Sequence, residues 1–343
     1  MPSCRESGSV KNLHYYDKHL GDLKQRLKSG VDLKRVRELH TVRPWRHMVV
    51  VARLLLWVGL CGAALWQSRW PWLWLPAALF QGFNLLGFVI LLHEQVHDVV
   101  VGARHPRLNR FLGLFYALPV AISATQFRIW HLDHHNELGS AQDDPKRAYL
   151  SPKVNARWYK FLYCTPWLFL KYARASATEA RSYEAGDQRL ITRERLANIG
   201  LHLTLAVTLG LLGGSGVLLR VWVIPLFFCF PTAFILNRLG QHYNVDPEDP
   251  ARWSTLVNGN PVWHSLFLWS NFHIEHHYFP RVPFYNLHAL NRELQPFFAA
   301  NGIQNHSYTT ILWNWFVLNK RPHTNWDEDK NVVQDGVQQV KHS

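Results

Sequence analysis

Residues 72–97 read WLWLPAALFQGFNLLGFVILLHEQVH, an apolar run from Trp72 to Leu92, broken by Gln81 and Asn84, that ends directly in two histidines four residues apart. Twenty-odd helical residues rising about 1.5 Å each cover roughly 30 Å, the hydrocarbon thickness of one bilayer. A crossing helix would therefore deliver His93 and His97 to one membrane face. At that spacing both project from the same side of the helix.

Upstream, Met48–Trp66 forms another apolar run, with Arg53 near its start, where the side chain can snorkel to the interface. Gln67-Ser68-Arg69-Trp70-Pro71 makes a turn between the two runs, and Trp66, Trp70, Trp72 and Trp74 read as an interfacial aromatic belt. A second pair follows: Leu196–Leu212, a Gly213-Gly214-Ser215-Gly216 turn, and Val217–Leu236. The stretches Phe111–Ile122, which holds Pro119, and Phe161–Leu170 are too short to cross and are expected at the interface. Lys and Arg crowd residues 1–46 and 98–195, while the tight turns carry little beyond Arg69 and Arg220. The positive-inside rule then places both termini and the long central loop in the cytoplasm.

This pattern predicts an all-α, multi-pass integral membrane protein with four transmembrane helices in two hairpins. Three parts are expected: a basic cytosolic segment over 1–46, with an amphipathic helix around Leu20–Leu33 lying on the membrane; a membrane domain over 47–300; and a cytosolic tail over 301–343. The chain is 343 residues long, 48% hydrophobic, with a formal charge of +13. That charge would suit nucleic acid, but the basic residues flank apolar runs and no nucleic-acid module is present. The expected partner is an anionic lipid surface, not nucleic acid. Cys4, Cys61, Cys164 and Cys229 form no CxxC pair and are expected to be reduced or buried. The polar first 40 or so residues give no sign of a signal peptide. The sequon at Asn305-His306-Ser307 is discounted because it falls on the cytosolic side.

The 20 histidines are concentrated in three groups: His93-Glu94-Gln95-Val96-His97, His131-Leu132-Asp133-His134-His135 and His273-Ile274-Glu275-His276-His277. Each helical box can aim two imidazoles at one point and a third at a neighbour. His242 follows the fourth crossing, as His93 follows the second, so all of them emerge at one face. Eight box histidines plus His242 make nine, too many for one ion and suited to two. Imidazole accepts zinc, copper, iron or nickel, so ligand type leaves the metal open. A lone HExxH would suggest a zinc protease, but two HxxHH boxes beside it argue against that. Asp98, Asp133, Glu137 and Glu275 are the acids expected to orient the rings. Asp143-Asp144-Pro145 reads as a helix cap or a partner for Arg147, and no further role is assigned to it. Gln81 and Asn84, three residues apart on one side of the second crossing, either line a substrate path or hydrogen-bond across helices, the second being the favoured reading. His14, His19, His40, His47, His202, His264, His288, His306, His323 and His342 are expected to be structural or exposed.

HxxxH, HxxHH and HxxHH in this order, among paired hydrophobic hairpins, resemble the membrane fatty acid desaturase superfamily over roughly residues 45–295. Asn271-Phe272-His273-Ile274-Glu275-His276-His277-Tyr278-Phe279-Pro280, with Val282-Pro283 after it, is similar to acyl-lipid and sphingolipid-type members. Gln241-His242 resembles their extra ligand position. The resemblance implies a mushroom-like helical fold with a cytosolic cap holding a di-metal site. It implies two iron ions, Fe2+/Fe3+, on His93, His97, His131, His134, His135, His242, His273, His276 and His277, with O2 as co-substrate and no catalytic residue beyond the ligands. Front-end desaturases carry Gln where His273 stands here. A fused cytochrome b5 would show His-Pro-Gly-Gly, whereas His105-Pro106 is followed by Arg107. Electrons are therefore expected from a separate ferredoxin- or cytochrome b5-type protein.

The expected function is an O2-dependent di-iron oxidase that introduces a double bond into a long fatty acyl or related lipid chain. Hydroxylation, carotenoid oxygenation and decarboxylation of a fatty acid to a terminal alkene share that scaffold, because the outcome depends on fine substrate placement. Outside enzymology the alternative is a membrane metal-binding receptor. A transporter is disfavoured because the metal-type residues lie at crossing ends, not mid-membrane.

Overall fold

The computed structural model describes residues 14–140, 143–246 and 248–323, and Cys4 and His342 lie outside them. The described residues are helical, with no strand beyond one isolated bridge between Val257 and His306. Helices α1 (Tyr15–Gly30) and α2 (Leu33–Leu39) precede the first long apolar helix. The amphipathic helix expected around Leu20–Leu33 falls on α1 and the start of α2, and the apolar stripe of α1 is covered by protein. Helix α1 buries Tyr16, Leu23 and Leu27. Its start is held by Glu137, which accepts from His14 Nδ1 at 2.8 Å and from the Tyr15 amide at 3.1 Å. Arg26 reaches Asp249 at 3.0 Å and Asn301 at 2.9 Å. An amphipathic stripe records only that a helix has an apolar face to cover, and here protein covers it.

Helices α3 (Pro44–Gln67) and α4 (Pro71–Val96) each start on a proline at N1, where the missing amide costs nothing. They pack antiparallel: Trp57 meets Phe80 edge to face at 5.4 Å, and Leu54 lies against Gly87. Their apolar windows are buried to 28% and 72%, so α4 is the central helix and α3 an outer one. Asn84 donates to Gln81 Oε1 at 3.2 Å and to Cys61 Sγ at 3.8 Å, so these polar groups satisfy one another within the helix pair.

Helix α5 (Pro106–Ala117) runs through a short turn to Val120 and meets α6 (Ala124–Asn136) at a bend of 99°. Ala121 takes the left-handed conformation (φ 55°, ψ 35°) at this elbow. Three short helices follow, α7 (Pro145–Leu150), α8 (Arg157–Leu162) and α9 (Trp167–Glu179). The apolar stretch 161–170 is thus divided between α8 and α9, with Pro166 at the N-cap of α9.

Helix α10 (Ala185–Leu218) breaks at Gly214, whose φ of 75° and ψ of 177° suit glycine alone. The chain turns back there. Trp222 Nε1 donates to His202 Nδ1 at 3.1 Å, and Leu218 returns to the side of Gly210. Wide π-type turns over Leu219–Cys229 lead into α11 (Phe230–His242). By length and composition three stretches can cross a membrane: α3, α4 and Ala185–His242 taken through its break. Large apolar side chains on them face outward, Leu211 at 82% and Trp72 at 68% exposure, as lipid contact requires.

The described residues continue through α12 (Pro261–Leu266), α13 (His273–Tyr278), α14 (Phe284–Ala300) and α15 (Tyr308–Leu312). Lys160 on α8 donates to Trp315 O at 2.6 Å and Asn319 Oδ1 at 2.8 Å, tying the segment after α15 to the body. Cys61, Cys164 and Cys229 are free thiols.

Candidate metal centre

The three histidine boxes lie on the last turns of α4, the last turns of α6 and the whole of α13, and His242 ends α11. All nine histidines singled out from the sequence come together. They form two groups, His93, His97, His131, His135 and His276, then His134, His242, His273 and His277. Within each group the donor atoms lie within 4.8 Å of one another. Helical spacing explains the sorting. The i,i+4 pairs His93/His97 and His131/His135 serve the first group, and His273/His277 serves the second. His134 and His276, each next to a partner of the opposite group, cross over.

The donor atoms face each other in a way that hydrogen bonding alone does not satisfy. Nε2–Nε2 separations are 2.6 Å for His97–His131, 3.0 Å for His135–His276, 3.0 Å for His242–His273 and 3.1 Å for His273–His277. The buried Nε2 atoms of His93 and His134 have no partner. Two nitrogens each about 2.1 Å from one ion and at right angles to it would be about 3.0 Å apart. The residues fit a pair of metal ions with all-imidazole coordination.

The outer nitrogens fix the tautomers. His134 Nδ1 donates to Asp144 Oδ1 at 2.8 Å and His242 Nδ1 donates to the Trp253 carbonyl at 3.0 Å, leaving both Nε2 lone pairs turned inward. His93 Nδ1 lies 3.2 Å from Glu94 Oε1, while Glu94 Oε2 accepts the Phe284 amide at 2.8 Å. Lys146 Nζ is 2.9 Å from His131 Nδ1. Burial, aided by the Arg238 guanidinium, pushes the Lys146 amine down toward the neutral form, which can accept from that ring N–H.

None of the four acids expected to orient the rings does so. Asp98 accepts from Asn109 at 2.6 Å, Glu137 anchors α1, and Glu275 accepts from Asn291. Burial raises Glu275 to about 7. Asp133, one residue from His134, is held above the usual carboxylate range by burial and by the Glu179 and Glu137 carboxylates, with His14 opposing them. Asp144, read from sequence as a cap, both caps α7 through the amides of Lys146 and Arg147 and holds His134. The signal available was the Asp-Pro cap ten residues beyond His134, but spacing alone does not bring it back to the ring. Asp144→Asn keeps a capping oxygen and removes the charge. It is expected to lower metal affinity about 10–100-fold, measured by competition with a chromogenic chelator.

Burial pushes His131, His134, His135, His273, His276 and His277 well below the ordinary histidine range. The unfolded chain takes up protons near pH ~6.5 that the folded cluster refuses, so stability falls as pH falls through that value. Metal-free protein is expected to melt progressively earlier between about pH 6.5 and 5. An unchanged melting temperature across that window would contradict six buried neutral rings.

Beneath the cluster lies an apolar cavity walled by Val89, Phe127, Trp130, Phe169, Phe230 and Phe234 among others. His93, His131, His273 and His276 form part of its lining, so both groups border it. Of the histidines expected to be structural or exposed, His14, His19 and His288 are exposed and His47 and His202 are held by hydrogen bonds. His47 meets Tyr116 Oη at 3.0 Å, and His202 Nε2 donates to the Leu118 carbonyl at 2.8 Å.

Comparison with known proteins agrees with this architecture. The fatty acid desaturase family model matches residues 69–309. The sphingolipid delta(4)-desaturase/C4-monooxygenase of Homo sapiens is 26% identical over 267 residues, 74% of this chain and 76% of that protein. The chloroplastic omega-3 fatty acid desaturase of Glycine max is 25% identical over 285 residues, covering 75% and 62%. The temperature-sensitive sn-2 acyl-lipid omega-3 desaturase (ferredoxin) of Arabidopsis thaliana is 23% identical over 279 residues, covering 74% and 63%.

Proposed function

The chain belongs to the fatty acid desaturase family, and on that premise we propose that it is an O2-dependent di-iron oxidase introducing a double bond into a long fatty acyl or related lipid chain. In this reading His93, His97, His131, His135 and His276 hold one iron, and His134, His242, His273 and His277 the other. When bound, the irons supply the reduction of O2 and the oxidising power that removes two hydrogens from neighbouring methylenes. Electrons come from a separate ferredoxin- or cytochrome b5-type protein; one relative carries ferredoxin in its name.

The observation that carries this reading is the cavity, whose apolar walls end at imidazoles of both groups. The protein's own work is binding and exclusion. Leu86, Val89 and Ile90 on α4 form one wall, and Phe127 and Trp130 on α6 another. They align a flexible chain past the histidines and keep water from it. Asp144 and the Trp253 carbonyl hold the rings of His134 and His242 in place.

The same reading assigns four crossings: α3, α4, α10 and the limb returning from Gly214 through α11. The termini and the histidine-bearing cap lie on the cytosolic side. Support comes from the antiparallel α3–α4 pair, the reversal at Gly214, and the elbow at Ala121, which returns α6 to the end of α4 where His93 and His97 lie.

One relative's name pairs desaturation with monooxygenation, so an alcohol is the competing product here. Reconstituted protein supplied with reduced ferredoxin, O2 and a saturated lipid is expected to give a product lighter by two hydrogens, only when O2 is present. A product that instead gains one oxygen would make this chain a hydroxylase.

A further inference from the structure

We propose that the substrate reaches the metal centre sideways from the bilayer, through a second groove between α5 and α10, and that Arg110 and Arg193 on its rim hold an anionic phospholipid headgroup. The desaturase reading supplies the destination of the chain; the groove is a separate observation. Leu114, Ala117, Leu118, Leu190 and Ala197 lie along its floor. Ile122 belongs to the wall of this groove and to the wall of the cavity beneath the histidines. The two spaces are therefore neighbours, with the Ile122 side chain between them.

The elbow that carries Ile122 is fixed by its backbone. Residues 194, 198 and 202 lie one turn apart on α10 and hold it from one side. Glu194 accepts from Ser123 Oγ, from the Thr125 amide and from Thr125 Oγ1, at 2.6, 3.0 and 2.6 Å. Asn198 donates to the Ile122 carbonyl at 2.7 Å, and His202 to the Leu118 carbonyl at 2.8 Å. An anchored backbone leaves the isoleucine rotamer as the movable part of the doorway.

The surroundings select the occupant. Leu108, Phe111, Leu196 and Ile199 on the two flanking helices are 47%, 62%, 64% and 56% exposed, which immerses the groove in lipid. A water-soluble thioester would have to cross this apolar skirt, whereas a phospholipid already lies within it. Arg110 and Arg193 are both exposed at the rim. Glu194, the acid among the residues lining the groove, lies 3.9 Å from Arg110 with its oxygens already engaged at the elbow. The rim keeps a net positive charge at headgroup height, suited to phosphate.

The test uses full-length protein in nanodiscs of saturated phosphatidylglycerol or phosphatidylcholine. Ile122→Trp is expected to cut turnover at least about tenfold while iron content stays at the wild-type value. Ile122→Ala, which avoids crowding the elbow, is expected to raise turnover of methyl-branched chains relative to straight ones. Arg110→Ala with Arg193→Ala is expected to lower the ratio of phosphatidylglycerol to phosphatidylcholine turnover about tenfold. The same pair should reduce the immobilised fraction of spin-labelled phosphatidylglycerol, a readout that needs no turnover. Wild-type protein inactive on every lipid would sink the desaturase reading, and the spin-label result would still decide the groove. An active wild type with all these variants at wild-type turnover and immobilisation would overturn the portal.

Discussion

His276→Ala is expected to abolish lipid oxidation and to lower bound iron from about two per chain to one or fewer. The His276 ring stands 4.3 Å from that of His93, 4.7 Å from His97 and 4.9 Å from His135, centre to centre. Its removal opens a hole among four remaining donors and leaves His135 Nε2 without the neighbour 3.0 Å away. Alanine supplies no lone pair, and the buried site admits no replacement side chain without moving α13. Activity should fall more than about 100-fold because the remaining coordination cannot hold the ion in working geometry. His288→Ala, at an exposed position on α14, is the matched control and should keep both metal and product. Full iron and full activity in His276→Ala would dismiss the two-ion reading of the boxes.

The second large effect concerns packing. Gly82 lies at the crossing of α4 with the wide turns before α11, where an added Cβ would sit 2.6 Å from Cys229 Cβ and 2.7 Å from its carbonyl oxygen. Much of the obstruction is backbone, so no change of rotamer relieves it. The helix cannot simply shift, because α4 carries His93 and His97 at its far end. Gly82→Leu is expected to destabilise by about 3 kcal/mol. The melting temperature should drop by roughly 6–12 °C, with loss of iron, in detergent-solubilised protein. Gly59→Leu on the outer helix α3 meets nothing within 4 Å and should leave both measures close to wild type. Equal behaviour of the two variants would mean that α4 and the turns at Cys229 are not in close contact.

Box histidines were legible in sequence because a helix converts spacing directly into direction. His131 and His135 share a face by periodicity alone, and so do His273 and His277. The partners of the rings were not legible. Asp133 and Glu275 are near in sequence, but they leave the helix on other faces. Asp144 approaches His134 only because a loop and the first turn of α7 fold back. The long apolar runs located α3, α4 and the turn at Gly214. The extension of α10 back to Ala185 lay hidden in polar residues, among them Glu194, whose work is to hold the elbow. Amphipathicity foretold α1 but could not say which surface would cover it. The cavity was invisible to any local reading, since α4, α6, α9, α11 and α14 each contribute to its wall.

The sorting of the histidines also sets an order of birth. Of the five donors in the first group, His93, His97, His131 and His135 all precede residue 136, and only His276 comes late. The second group has only His134 by that point and waits for His242, His273 and His277. As the chain leaves the ribosome, one nest of imidazoles is nearly complete before α10 exists, while the other cannot form until α13 docks. Both nests therefore stay incomplete until α13 docks, because that one helix supplies His276 to the first and His273 and His277 to the second.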